Sequence, residues 1–176
     1  ENCKFIMDTC PPYINYCFGG IANYNYGKIS KCIVDSPCIF YGKETSENNG
    51  NSKISTDTYP RGGICAYNYA NGVVEYCKNI TNATFYYVNH TRSNIGALSD
   101  DGVYGGICGV NRGKIAFCHN SARIGIGAAG VWANGKIGGI CGVMYEGEII
   151  GCYNTADFVM CTGEADSMSN DQIGGI

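Results

Sequence analysis

The chain has 176 residues, a formal net charge of -3, 45% hydrophobic residues and a pI near 5.3. That length allows one domain or one array, and the apolar content allows a buried core. No apolar run approaches the roughly 18 residues of a membrane span, and the slight acid excess argues against a nucleic-acid partner, which needs a basic face.

Gly (26) and Tyr (14) are abundant, and helix formers are scarce. That mixture favours short strands and tight turns. The 12 cysteines show no Cys-x-x-Cys pair, so the usual structural zinc and redox spacings are absent. In a secreted protein such a content suggests disulfides.

The chain repeats itself. In chain order, Gly-Gly-Ile occurs at Gly19-Gly20-Ile21, Gly62-Gly63-Ile64, Gly105-Gly106-Ile107, Gly138-Gly139-Ile140 and Gly174-Gly175-Ile176. The next residue is Ala22, Cys65, Cys108 or Cys141. A second signature, Gly-x-(Ile/Val)-x-x-Cys, follows at Gly27–Cys32, Gly72–Cys77, Gly113–Cys118 and Gly147–Cys152. After its cysteine an Asn recurs at Asn79, Asn120 and Asn154.

Each copy therefore reads as a short strand, an Asn/Gly turn and a second short strand. Such a pair is marginal alone, and stacking copies buries a shared face. Gly-Gly before Ile suits a corner where backbones approach closely or φ is positive. The variable stretches 33–61, 78–104, 119–137 and 153–173 read as loops or extra strands on one side, and 43–58 as an exposed polar loop. The expected fold is an all-β parallel β-solenoid. It is a single repeat array over 1–176, with repeats starting near 19, 62, 105, 138 and 174, and 1–18 ending a preceding repeat. In that register Cys3 closes a signature begun before Glu1, and Ile176 belongs to a fifth repeat, so the chain reads as a fragment of a longer array.

Gly106-Ile107-Cys108-Gly109 and Gly139-Ile140-Cys141-Gly142, each followed by a turn, Ile and Cys, resemble the GLUG motif. Copies one and two depart from it, with Asn23 and Ala66 at the second Gly. The resemblance implies a right-handed β-solenoid segment of a large bacterial surface protein, such as an adhesin or the non-catalytic stalk of a surface peptidase. It places the chain outside the cell or on its surface, beside neighbouring repeats of the same parent chain, with a host protein or a glycan as ligand. It carries over no catalytic residue and no cofactor.

A catalytic thiol wants a His partner. His119 follows Cys118, but the equivalent positions hold Ile33, Lys78 and Tyr153, and the other histidine is His90. Such variation does not suit a catalytic position. Four-ligand metal spacing is missing, and Ser99-Asp100-Asp101-Gly102 reads as a solvated turn rather than a calcium turn. The enzyme alternative is a β-helical domain acting on polysaccharide, or one belonging to a surface peptidase. Its candidates are Asp100, Asp101, Arg92, Arg112 and Arg123, none singled out by spacing.

Tyr24, Tyr26, Tyr67, Tyr69 and Tyr145 fall at matching positions and offer an aromatic ladder for sugars. The competing expectation is that one column packs inward and the other covers a corner. Asn79, Asn82 and Asn89 begin Asn-x-Thr sequons, relevant only to a eukaryotic source.

The cysteines form two columns, Cys65–Cys108–Cys141 and Cys3–Cys32–Cys77–Cys118–Cys152. A bridge between columns in every copy would strand Cys32 opposite Ala22. A small apolar slot is expected instead, filled by buried thiols. Cys10, Cys17, Cys38 and Cys161 lie off the columns and are the candidates for disulfides, with Cys10–Cys17 and Cys32–Cys38 the nearest pairings.

Overall fold

The structure is a computed structural model that describes residues 4–5, 18–35, 41–43, 60–80, 85–88, 103–126, 136–160 and 172–176. It is all-β: the described residues form strands, turns and bends, with no helix. Every strand pairs in parallel with its equivalent in the next copy, which makes the chain a parallel β-solenoid.

Each coil carries five strands. The first sheet stacks Phe18–Gly19, Pro60–Gly62, Val103–Gly105, Lys136–Gly138 and Gln172–Gly174. The second stacks Ala22–Asn25, Cys65–Asn68, Cys108–Asn111 and Cys141–Met144. The third stacks Lys28–Ser30, Val73–Glu75, Lys114–Ala116 and Glu148–Ile150. The fourth stacks Lys4–Phe5, Ile33–Val34, Lys78–Asn79, His119–Asn120 and Tyr153–Asn154, and the fifth stacks Tyr41–Lys43, Phe85–Val88, Ile124–Ile126 and Phe158–Met160. The two signatures form the second and third sheets. The variable stretches contribute the other three, so they hold strands of the coil itself.

Register follows the repeat. Ala22, Cys65, Cys108 and Cys141 pair in sequence, as do Ile29, Val74, Ile115 and Ile149. Lys4 pairs with Ile33, the residue after Cys32. These columns form the main core. Ile64, Ile107, Ile115, Ile140, Val34 and Val74 are fully buried, with the column cysteines among them. A second cluster of Tyr104, Ile124 and Ile137, joined by Phe158, fills the space between the first and fifth sheets.

The Gly-Gly corner is explained by close approach. A Cβ on Gly62, Gly105 or Gly138 would lie 1.8–1.9 Å from the carbonyl oxygen three residues on, at Cys65, Cys108 or Cys141. A Cβ on Gly63, Gly106 or Gly139 would meet the side chain of Asn79, Asn120 or Asn154 at 2.2–2.4 Å. The second glycine and the recurrent Asn are thus one contact made across a coil. In copy one the same place is held by Gly20 and Val34, whose Cγ2 stands 2.9 Å from that virtual Cβ.

The corner between the third and fourth sheets uses the left-handed region instead. Lys31, Tyr76 and Phe117 have φ of 56°, 53° and 52°, and Gly151 has 59°. A non-glycine residue there costs about 1–2 kcal/mol. The backbone N–H of each of these three residues reaches a carbonyl of the next coil, Glu75, Ala116 or Ile150, at 2.8–3.0 Å.

We expect Gly106→Ala to destabilise the chain by about 2–3 kcal/mol, since carbonyl oxygen and Asn amide must both move. Gly27→Ala should stay within about 0.5 kcal/mol, because nothing lies within 4 Å of its added Cβ. Urea denaturation midpoints measure both.

Candidate functional site

The inward side chains form ladders along the stack. Asn25 Nδ2 donates to Asn68 Oδ1 at 2.8 Å, and Asn68 Nδ2 donates to Asn111 Oδ1 at 2.8 Å. Asn68 and Asn111 are fully buried. Asn25 Oδ1 and Asn111 Oδ1 also accept the N–H of Gly27 and Gly113, both at 3.2 Å, which fixes the turn into the third sheet. In copy four Met144 takes this place and is exposed. A second ladder runs in the fourth sheet, where Asn120 Nδ2 donates to Asn154 Oδ1 at 2.8 Å and Asn79 Nδ2 to Gly106 O at 2.8 Å.

Asn79, the first residue of a sequon, has its amide fully buried and bound to the Gly106 carbonyl. A glycan on that nitrogen would displace the ladder, so the folded coil cannot carry one there. Asn82 and Asn89 lie outside the described residues.

Cys32, Cys65, Cys77, Cys108, Cys118 and Cys141 are buried free thiols, and Cys152 is a half-buried one. Each thiol of the second signature lies near the carbonyl two residues back, across the left-handed corner: Cys32 to Ser30, Cys77 to Glu75, Cys118 to Ala116 and Cys152 to Ile150, at 3.3–3.5 Å. Cys108 and Cys141 reach forward instead, to Val110 O and Val143 O at 3.1 Å. Cys65 and Cys108 sulfurs stand 3.5 Å apart.

Burial, reinforced by Cys141 and Cys65, pushes the Cys108 thiol well up. Cys118 is raised by hydrogen bonding with Cys152 and Cys77. The same contact draws Cys152 down to about 7, helped by the Cys118 backbone N–H at 3.3 Å from its sulfur. Cys3, Cys10, Cys17, Cys38 and Cys161 lie outside the described residues. Among the described residues no group of three His, Cys, Asp or Glu could hold a metal ion.

The outward side chains form columns of their own. Tyr24 and Tyr26 are exposed, with Asn25 buried between them. Tyr67 and Tyr69 are half-buried in the next coil, and Tyr145 is exposed in the fourth. None of the five packs into the core, so the expectation of an inward tyrosine column fails. The buried Asn ladder holds the inward position; Tyr24 and Tyr26 beside Asn25 are exposed and Tyr67 and Tyr69 beside Asn68 half-buried, whereas Val110 beside Asn111 is buried.

The rings stack on each other. Tyr26 and Tyr69 lie 4.1 Å apart at 12°, and hydrogen bonding with Tyr26, then burial, pushes the Tyr69 phenol up to about 12. Arg112 follows in the column, 5.1 Å from the Tyr145 ring centroid. Its Nε donates to Tyr67 Oη at 2.8 Å, which raises its pKa, and Nη1 meets Glu146 at 3.3 Å.

Two further pairs stack on other corners. Tyr76 lies on Phe117 at 5.1 Å and 15°, and His119 on Tyr153 at 4.1 Å and 16°. His119 Nε2 also contacts Thr155 Oγ1 at 2.8 Å, and burial followed by the Lys78 charge lowers its pKa.

The third sheet lies between the first two aromatic corners, and a groove of about 380 Å3 opens along its edge. Asn71, Gly72, Gly113, Lys114, Gly147 and Glu148 line it. Lys114 pairs with Glu148 at 2.7 Å, and Lys28 with Glu75 at 2.8 Å, which holds the Glu75 carboxyl below its usual range. The sequence did not reveal this groove, although three glycines heading the second signature lie in it. Arg112 borders it, whereas the exposed Arg123 leads into the fifth sheet, so those two enzyme candidates stand on different corners. His90, Arg92, Asp100 and Asp101 lie outside the described residues.

Asn68→Ala should cost about 2–4 kcal/mol, because it orphans buried amide groups in two coils. A double-mutant cycle with Asn111→Ala should give a coupling above about 0.5 kcal/mol, read from denaturation. In native-state alkylation mapped by peptide mass spectrometry, Cys152 should label first among the seven described thiols. Its rate should climb through pH 7 as the thiolate forms, while Cys65 and Cys108 should label only after unfolding.

Comparison of the chain with family models, curated proteins and solved structures found no match.

Proposed function

We propose that the chain is a non-catalytic structural segment of a large extracellular or cell-surface protein, a stalk of stacked coils that presents ligands with its outer surface. Neighbouring repeats of the same parent chain flank it in this reading. The observation that carries the proposal is the partnering of reactive side chains along the axis. Asn bonds to Asn, thiol packs on thiol, Lys pairs with Glu and ring stacks on ring, each one coil from its equivalent. Groups engaged in this way hold coils together and have little freedom to activate a substrate. The resemblance to the GLUG motif supports the surface location.

The alternative is a β-helical domain of an enzyme acting on polysaccharide or of a surface peptidase. Lys114 and Glu148 favour it, since both line an open groove. Incubation of the purified chain with polysaccharide and peptide libraries distinguishes the two. The structural reading expects no new reducing ends and no new amino termini. Product that accumulates with the wild-type chain and disappears in Lys114→Met or Glu148→Gln would overturn it.

A further inference from the structure

We propose that the outer face of the third sheet binds a neutral polysaccharide lengthwise, along the solenoid axis. This names the ligand class for the surface-presenting stalk suggested above, and rests on that reading.

The face lies between two aromatic corners. Its strands are three residues long, about 10 Å across at a rise of about 3.3 Å per residue. The corner before it carries the column Tyr26, Tyr69, Arg112 and Tyr145, and the corner after it carries Tyr76 stacked on Phe117. Glycines line the groove at its edge. A Cβ on Gly113 would lie 2.2 Å from Gly72 O, and one on Gly147 would lie 1.8 Å from Gly113 O, so the coils approach too closely there for any side chain. Three successive coils contribute to it, which suits a chain-like ligand better than a single ring.

The charges decide the ligand class. Lys114 is paired with Glu148, Lys28 with Glu75 and Arg112 with Glu146. Cations already paired attract a polyanion weakly, and a nucleic acid or polyuronate would have to break these pairs. Paired charges and an amide between aromatic corners provide hydrogen-bond donors and acceptors without net field. That is the chemistry of a neutral polyhydroxylated chain. Because Tyr26 and Tyr69 use faces on each other, their rims and hydroxyls are what they offer to solvent.

Affinity electrophoresis tests the proposal, using native gels cast with a β-glucan, a mannan or a xylan, and alginate as the acidic comparison. Ala70 and Asn71 form an exposed turn on the groove's edge, so Ala70→Trp should block it without touching the core. Thermal unfolding checks that the variant folds. We expect retardation of the wild-type chain in at least one neutral gel, insensitive to added salt and about tenfold weaker for folded Ala70→Trp. Three results would overturn the proposal: no retardation in any neutral gel, retardation that the variant leaves unchanged, or retardation confined to alginate and abolished by salt. Failure of binding with no product formed defeats the groove and leaves the structural reading intact. Binding accompanied by new reducing ends keeps the groove ligand and defeats the structural reading.

Discussion

Parallel in-register pairing places each residue about 4.8 Å from its equivalent in the next coil, and the rest of the structure follows from that constraint. A side chain in such a stack meets its own kind above and below. Residue types that tolerate their own company are therefore selected by geometry. An Asn amide has both a donor and an acceptor, so Asn25, Asn68 and Asn111 bond head to tail. Flat rings stack, and a thiol is small, apolar and a weak donor. Like charges would repel, and the third sheet avoids this by setting Lys114 beside Glu148 and Lys28 beside Glu75.

The ladders do not share one span. The Asn ladder of the second sheet runs through copies one to three and gives way to Met144. That of the fourth sheet runs through copies two to four, with Val34 at its start. The thiol column of the second sheet begins at Ala22, and the aromatic column of the third corner ends at Gly151, whose virtual Cβ would strike the Phe117 ring at 2.6 Å. The breaks fall in copies one and four, and each junction among copies one to four keeps at least one polar or aromatic ladder.

How much of this is legible in the sequence depends on how local the constraint is. The Gly-Gly-Ile corner is legible because the first glycine meets a carbonyl three residues away, whatever the rest of the coil does. The Gly-x-Ile-x-x-Cys signature is legible because the left-handed corner and the thiol beyond it lie within a few residues. Strands such as Tyr41–Lys43, Phe85–Val88 and Ile124–Ile126 share no motif, since parallel pairing uses backbone groups that any sequence supplies. Five strands per coil were invisible for that reason. The outward tyrosines could have been read correctly: Tyr24 and Tyr26 are two residues apart and share a side of an extended chain. Asn79 is legible as a column position through its recurrence as Asn120 and Asn154, which a sequon does not need. The groove is not, since its lining comes from three copies.

The thiol columns show how the stacking constraint acts on chemistry. A bridge from Cys65 to Cys108 would join sulfurs already in contact, but their parallel Cβ vectors would force an unfavourable dihedral. As free thiols they fill the slot that Ala22 fills in copy one, and the neighbouring column adds weak hydrogen bonds across a strained corner. Oxidation would remove those donors and distort the stack at once. Burial protects the column, because a desolvated thiol such as Cys108 resists ionisation and so resists attack. The same burial that makes cysteine useful for packing therefore keeps a thiol such as Cys108 chemically silent, and among the described thiols reactivity returns where the column meets solvent, at Cys152.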